Sequence, residues 1–150
     1  MQNHADTAEA LFKLKYNCAQ AVAGAFCDVT GLSSEEAFAV ASSFGGGFGR
    51  NREVCGAVSG GCIVLGILFG KYPPDDHDAK MAHYAIVRDF MERFRTRCGG
   101  SYICRELLGG AEKGGAPDER NAEFYKKRPC VELVRTAAGI VDEIISENAK

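Results

Sequence analysis

The sequence predicts an all-α fold, a single cysteine-rich domain built as a bundle of about five to six helices around a central glycine-rich apolar helix. Three observations carry that prediction. Apolar residues recur at three- and four-residue spacing over long stretches. No alternating strand pattern runs longer than a few residues. Helix start and stop residues punctuate the chain throughout. At 150 residues the chain is long enough to bury a core without staples. Its 46% apolar and 25% charged residues are the balance of a globular chain, not a disordered one.

The first helix is expected from about Asp6 to Phe26, with Leu11, Leu14, Cys18, Val22 and Ala25 forming one stripe. Gly31 is its stop. Ser33-x-x-Glu36 is a capping box that opens a second helix through Ser43. FGGGFGRN then reads as a glycine-rich loop, with Asn51 placed to cap the third helix. That helix covers Val54 to Gly70 and is apolar all round, as befits the middle of a bundle. Its 17 residues fall short of the roughly 20 that a spanning helix needs.

Pro73-Pro74 breaks the chain, and Asp75 or Asp76 caps a fourth helix whose stripe is Tyr84, Val87, Met91, Phe94 and Cys98. Gly99-Gly100 ends it. A short helix is expected over Ser101 to Leu108, and a polar loop or lid over Gly109 to Phe124. The last helix starts at Pro129 and carries Cys130, Val134, Ala137, Val141 and Ile144 on one face.

Charge and termini exclude several classes. A net charge of −2 with scattered basic residues gives no reason to expect nucleic acid, and Lys126-Lys127-Arg128 reads as a solvated loop. The start, MQNHADTAEALFK, has an early acid and no apolar stretch before Leu11, so no secretory signal is expected. The chain is read as cytoplasmic, with no membrane partner. His4 is assigned to a fraying terminus, and His77 and His83 to the surface. Gly45, Gly46, Gly47 and Gly49 lack the Lys-Ser/Thr ending of a P-loop and follow no strand, so no nucleotide site is expected.

Seven cysteines stand out: Cys18, Cys27, Cys55, Cys62, Cys98, Cys104 and Cys130. The cytosol keeps structural thiols reduced, so such residues are catalytic, redox-sensing, metal-binding or core fillers. Cys55 and Cys62 share a helix face about 10 Å apart, too far for a disulfide. Cys27 faces away from the Cys18 stripe and reads as peripheral. Cys98-x5-Cys104 straddles a Gly-Gly turn that a short disulfide could close.

Helix starts decide among the cysteines. Cys55, Cys104 and Cys130 sit in opening turns, where the helix dipole and unpaired N–H groups stabilise a thiolate. Arg50 and Arg52 lie near Cys55 in sequence. Cys62 and Cys98 read as core thiols. Gly56 and Gly60, like Gly66 and Gly70, form small-residue ridges that let other helices, and their cysteines, approach.

The order Cys18, CGAVSG from Cys55 to Gly60, Cys104 and Cys130 resembles the C-GCAxxG-C-C family of redox-active proteins of bacteria and archaea. The likeness runs from YNCAQAV through FGGGFGRNREVCGAVSGGCIVLG to PCVELV, with the first two letters of Gly-Cys-Ala exchanged. It implies that Cys18, Cys55, Cys104 and Cys130 are the signature residues. Two readings stay open. In one, Cys55 attacks a disulfide or oxidant and Cys104 or Cys130 resolves the product, with an unknown redox partner. In the other, Cys18, Cys55, Cys104 and Cys130 ligate zinc or an iron–sulfur cluster.

Overall fold

The computed structural model describes residues 3–110, 113–115 and 119–149. The chain is all-α. Of the lid-like stretch Gly109 to Phe124, residues 111–112 and 116–118 lie outside the described part.

Helix α1 (His4–Lys13) is capped by Asn3, whose side chain accepts from the Ala5 amide. His4 is not frayed. Its ring stacks on Phe26 at 4.2 Å and bonds to Asp142 at 2.7 Å and Asp28 at 2.9 Å. The single first helix expected from the stripe is in fact broken. A turn separates α1 from α2 (Cys18–Ala25), because Asn17 and Gln20 close a capping box that starts a new helix. Short α3 (Cys27–Thr30) ends on left-handed Gly31, and the box of Ser33 and Glu36 opens α4 (Ser34–Ala41).

A 3-10 turn (Ser42–Phe44) leads into the single turn α5 (Gly45–Phe48), inside which Gly46 and Gly47 are left-handed. Phe48, Gly49, Arg50 and Arg52 also have positive φ. Three non-glycine residues in that region within five positions store strain that the surrounding contacts must hold. Asn51 turns back to donate to the Phe48 carbonyl. The cap of α6 (Gly56–Phe69) is therefore Cys55, not Asn51.

Helix α7 (His77–Arg97) is capped by Asp76. It meets the core through Phe90 and Phe94, both fully buried, while Tyr84 is exposed. The facing residue is Gly61, where an added Cβ would lie 2.4 Å from the Phe90 ring. Four-residue α8 (Cys104–Leu107) and α9 (Ala122–Lys127, capped by Asn121) precede α10 (Cys130–Glu147). The stripe expected on the last helix is buried at all five positions.

Helix α6 packs against α2, α10 and α7, and α1 lies across α2 and α10. Glycines set the spacing. A Cβ on Gly60 would stand 2.6 Å from the Ala19 carbonyl oxygen, and one on Gly56 would stand 3.2 Å from the Cys18 Cβ. Gly66, by contrast, faces open space. No helix among the described residues is long and apolar enough to cross a membrane.

Candidate functional site

Four separate devices bring the signature cysteines together. The break before α2 places Cys18 at a helix start instead of mid-stripe. Gly56 and Gly60 let that start sit directly against the start of α6, where Cys55 is the cap. Residues 52–55 then pair with 102–105. Val54 and Ile103 form an antiparallel bridge, the Cys55 amide donates to the Tyr102 carbonyl at 2.8 Å, and the Cys104 amide donates to the Glu53 carbonyl at 2.6 Å. A Cβ on Gly47 would lie 2.8 Å from the Cys104 Cβ, so the left-handed turn is pressed onto this clamp. Pro129 places Cys130 in the first turn of α10.

The result is a small inner chamber of about 40 Å³ lined by Cys18, Cys55, Cys104 and Cys130 together. Above it opens a cavity of about 390 Å³ that reaches Cys18 and Cys130 but not the other two. The Cys18 and Cys130 thiols hydrogen-bond each other, and Arg52 donates to the Cys104 sulfur at 3.7 Å. All seven cysteines are free thiols. Cys27, Cys62 and Cys98 lie outside both spaces, so the Cys98–Cys104 pairing has no support.

Protonation separates Cys18, Cys55 and Cys130. The hydrogen bond from Cys18 holds the Cys130 thiol below its usual range, and the Arg128, Arg120 and Arg52 guanidiniums add to this. The same bond, with burial, drives Cys18 well up, so the proton of the pair stays on Cys18. Cys55 is pushed up to about 12 by burial, which outweighs the neighbouring Ala57 and Val58 amides. A position at a helix start thus does not by itself make a thiolate. Desolvation wins at Cys55 and loses at Cys130.

Burial of these thiols has a stability consequence. Cys55 at about 12 and Cys62 at about 11 both ionise near 9.0 in an unfolded chain. Above that pH the unfolded chain releases protons that the native chain keeps, so stability falls as pH rises. By about pH 11 Cys55 alone removes roughly 3 kcal/mol. Urea midpoints measured between pH 8 and 11 should fall accordingly, with a shallower slope in Cys55→Ala. A flat profile would refute the buried, neutral Cys55.

Among the described residues, no group of three or more His, Cys, Asp or Glu side chains is arranged to hold an ion. The ligand set of Cys18, Cys55, Cys104 and Cys130 shares a chamber without converging on one point.

Sequence reasoning missed Arg120 and Arg128. Arg120 fell in a stretch that read as loop. Its guanidinium donates to the carbonyls of Phe12 at 3.1 Å and Tyr16 at 3.2 Å, at the end of α1, and lies over the Phe12 ring at 4.4 Å. Arg128 belongs to the run dismissed as solvated, yet it faces the cavity. The position of Cys18 was also misread, although Asn17-x-x-Gln20 is a capping signal visible in the sequence.

A family model, described as a putative redox-active protein (C_GCAxxG_C_C), matches residues 16–144. No curated protein and no solved structure matches the chain.

Proposed function

The chain belongs to the C_GCAxxG_C_C family of redox-active proteins, and from that premise we propose that Cys18 and Cys130 are a redox dithiol that exchanges with disulfides. The observation that carries this reading is that Cys18 and Cys130 line the open cavity together, with the Cys130 thiol held low by Cys18 and by Arg128, Arg120 and Arg52. The thiolate is the attacking species in thiol–disulfide exchange. Cys130 is therefore the nucleophile, the role the helix-start argument gave to Cys55. Cys18, already in contact with it, resolves. Cys55 and Cys104 line the smaller chamber and are not among the lining residues of the larger cavity.

The reaction balances as a two-electron exchange. The Cys130 thiolate attacks one sulfur of a disulfide, forms a mixed disulfide and expels a thiolate. Cys18 then loses its proton, attacks the Cys130 sulfur and expels the second thiolate. The protein is oxidised to a Cys18–Cys130 disulfide and the partner is reduced to two thiols.

Titration of the reduced protein with a small disulfide tests this. The free-thiol count should fall by two, and mass spectrometry of the digest should find Cys18 joined to Cys130. A product linking other cysteines, or no loss of thiols, would reject the assignment. Stoichiometric iron or zinc in anaerobically purified protein would replace it with the four-cysteine ligand reading.

A further inference from the structure

We propose that Arg120 and Tyr125 are positioning residues for the dithiol, a latch that holds the turn leading into Cys18 against the segment leading into Cys130. Its effect on disulfide exchange rests on the dithiol reading; the latch itself does not.

Each of these cysteines opens a helix, so each thiol goes where the preceding turn puts it. The turn before Cys18 is strained. Lys15 sits in it at φ 79, a left-handed position disfavoured for a residue with a Cβ. Such a conformation persists only where its surroundings hold it. Arg120 does so directly. Its guanidinium fork donates to the Phe12 carbonyl at 3.1 Å and to the Tyr16 carbonyl at 3.2 Å, one on either side of Lys15. The last carbonyls of a helix have no intrahelical donor. The Tyr125 hydroxyl serves two of them at the end of α1, donating to Phe12 at 3.4 Å and to Lys13 at 3.3 Å.

Aromatic rings fix the fork. The Arg120 guanidinium lies 4.4 Å from the centroid of the Phe12 ring and 4.8 Å from that of Phe124. Tyr125 meets the same two rings edge-on at 5.8 Å and 5.4 Å. Phe12 is fully buried, so the latch closes on the core itself. A planar fork that stacks on rings while bonding two acceptors is a property of Arg that Lys does not share. Arg120 and Tyr125 both lie in the stretch that runs into Cys130, and Tyr16 lies just before Cys18. These contacts therefore tie the two cysteine-bearing turns together close to the sulfur atoms.

The step that this serves is the second one. The Cys18 thiolate attacks the mixed disulfide on Cys130, the Cys18–Cys130 bond forms, and the small thiol leaves with the proton that Cys18 gave up. One S–S bond replaces another, so no further oxidant is consumed. Holding the two groups in place makes the step intramolecular, and its advantage is read as an effective concentration.

Equilibration with 2-mercaptoethanol and its disulfide, both uncharged, measures that quantity. It is the ratio of Cys18–Cys130 disulfide to mixed disulfide at Cys130, multiplied by the 2-mercaptoethanol concentration. Arg120→Met, which keeps the length and has no donors, should lower it on the order of tenfold. Arg120→Lys should recover little, because it returns the charge without the fork. Tyr125→Phe removes one oxygen and should lower it about threefold, which keeps the test decisive if Arg120→Met does not fold. No change in Tyr125→Phe and Arg120→Met, or full recovery in Arg120→Lys, would overturn the proposal. Hydrogen exchange of the reduced chain separates the latch from the dithiol, since both losses should speed exchange at residues 15–20 and 121–128 and leave α7 as it is. If the wild type never joins Cys18 to Cys130 but exchange rises at both turns, the dithiol fails and the latch stands. If the wild-type pair forms and the variants match its effective concentration, the dithiol stands and the latch fails. Exchange unchanged at both turns overturns the latch in either case.

Discussion

A Cys130→Ser chain should lose the one thiol that alkylates fast at neutral pH, its rate with iodoacetamide falling by about tenfold or more. The sulfur of Cys130 receives a hydrogen bond from Cys18 and faces three guanidiniums, and no other cysteine near the cavity combines both. The pH profile carries a finer prediction. Cys18→Ala removes the largest cause of the lowered value at Cys130, so the fast phase should survive with its midpoint moved upward. Cys27→Ser, outside both spaces, should change neither rate nor midpoint. A fast phase that persists in Cys130→Ser, or one that disappears with Cys55 instead, would reverse the assignment of nucleophile.

Gly60→Val should destabilise the protein by about 3 kcal/mol or more, while Gly66→Ala should stabilise it by about 0.5–1 kcal/mol. Both glycines lie in α6, so helix propensity favours replacement at each. The difference is the neighbour. At Gly60 an added Cβ meets backbone, 2.6 Å from the Ala19 oxygen and 3.1 Å from the Ala19 Cα, and neither can rotate away. At Gly66 it meets nothing within 4 Å. Urea unfolding midpoints of the two variants should move in opposite directions. Movement in the same direction would mean that the close approach of α2 to α6 is not what Gly60 provides. Because this contact also seats Cys18 beside the start of α6, Gly60→Val should also raise the pH midpoint of the fast thiol.

Much of the fold was legible because periodicity survives in a single chain. The stripe of the last helix, the box at Ser33 and the all-α class all follow from spacing and caps. The break after Lys13 was hidden because Leu11, Leu14, Cys18, Val22 and Ala25 keep their three-four rhythm across it. Only Asn17 and Gln20 mark the interruption. Helix starts and the small residues around Cys55 pointed to Cys55, Cys104 and Cys130, whereas Cys18 entered the set only through the family resemblance, because its stripe hid the helix start it occupies.

Protonation could not be read the same way. It depends on how deeply each sulfur is buried and on cations delivered by remote segments. Arg120 reaches Cys130 through a fold that no local spacing encodes, and Arg50 and Arg52 drew notice only as neighbours of Cys55. Nothing in the residues around Cys55 announces that desolvation there outweighs the helix start. The preference of α7 for Phe90 over Tyr84 as its inward residue likewise depends on the glycine it faces, Gly61.

Cys18 and Cys130 arrive from near opposite ends of the chain. A bond between them would cinch a loop of about a hundred residues and, on the chain-entropy account, restrict the unfolded ensemble by roughly 4–5 kcal/mol. Electron loss at this pair would then double as reinforcement. The oxidised molecule would resist heat and proteases that the reduced one does not, so its lifetime in a cell would itself register the redox history of its surroundings.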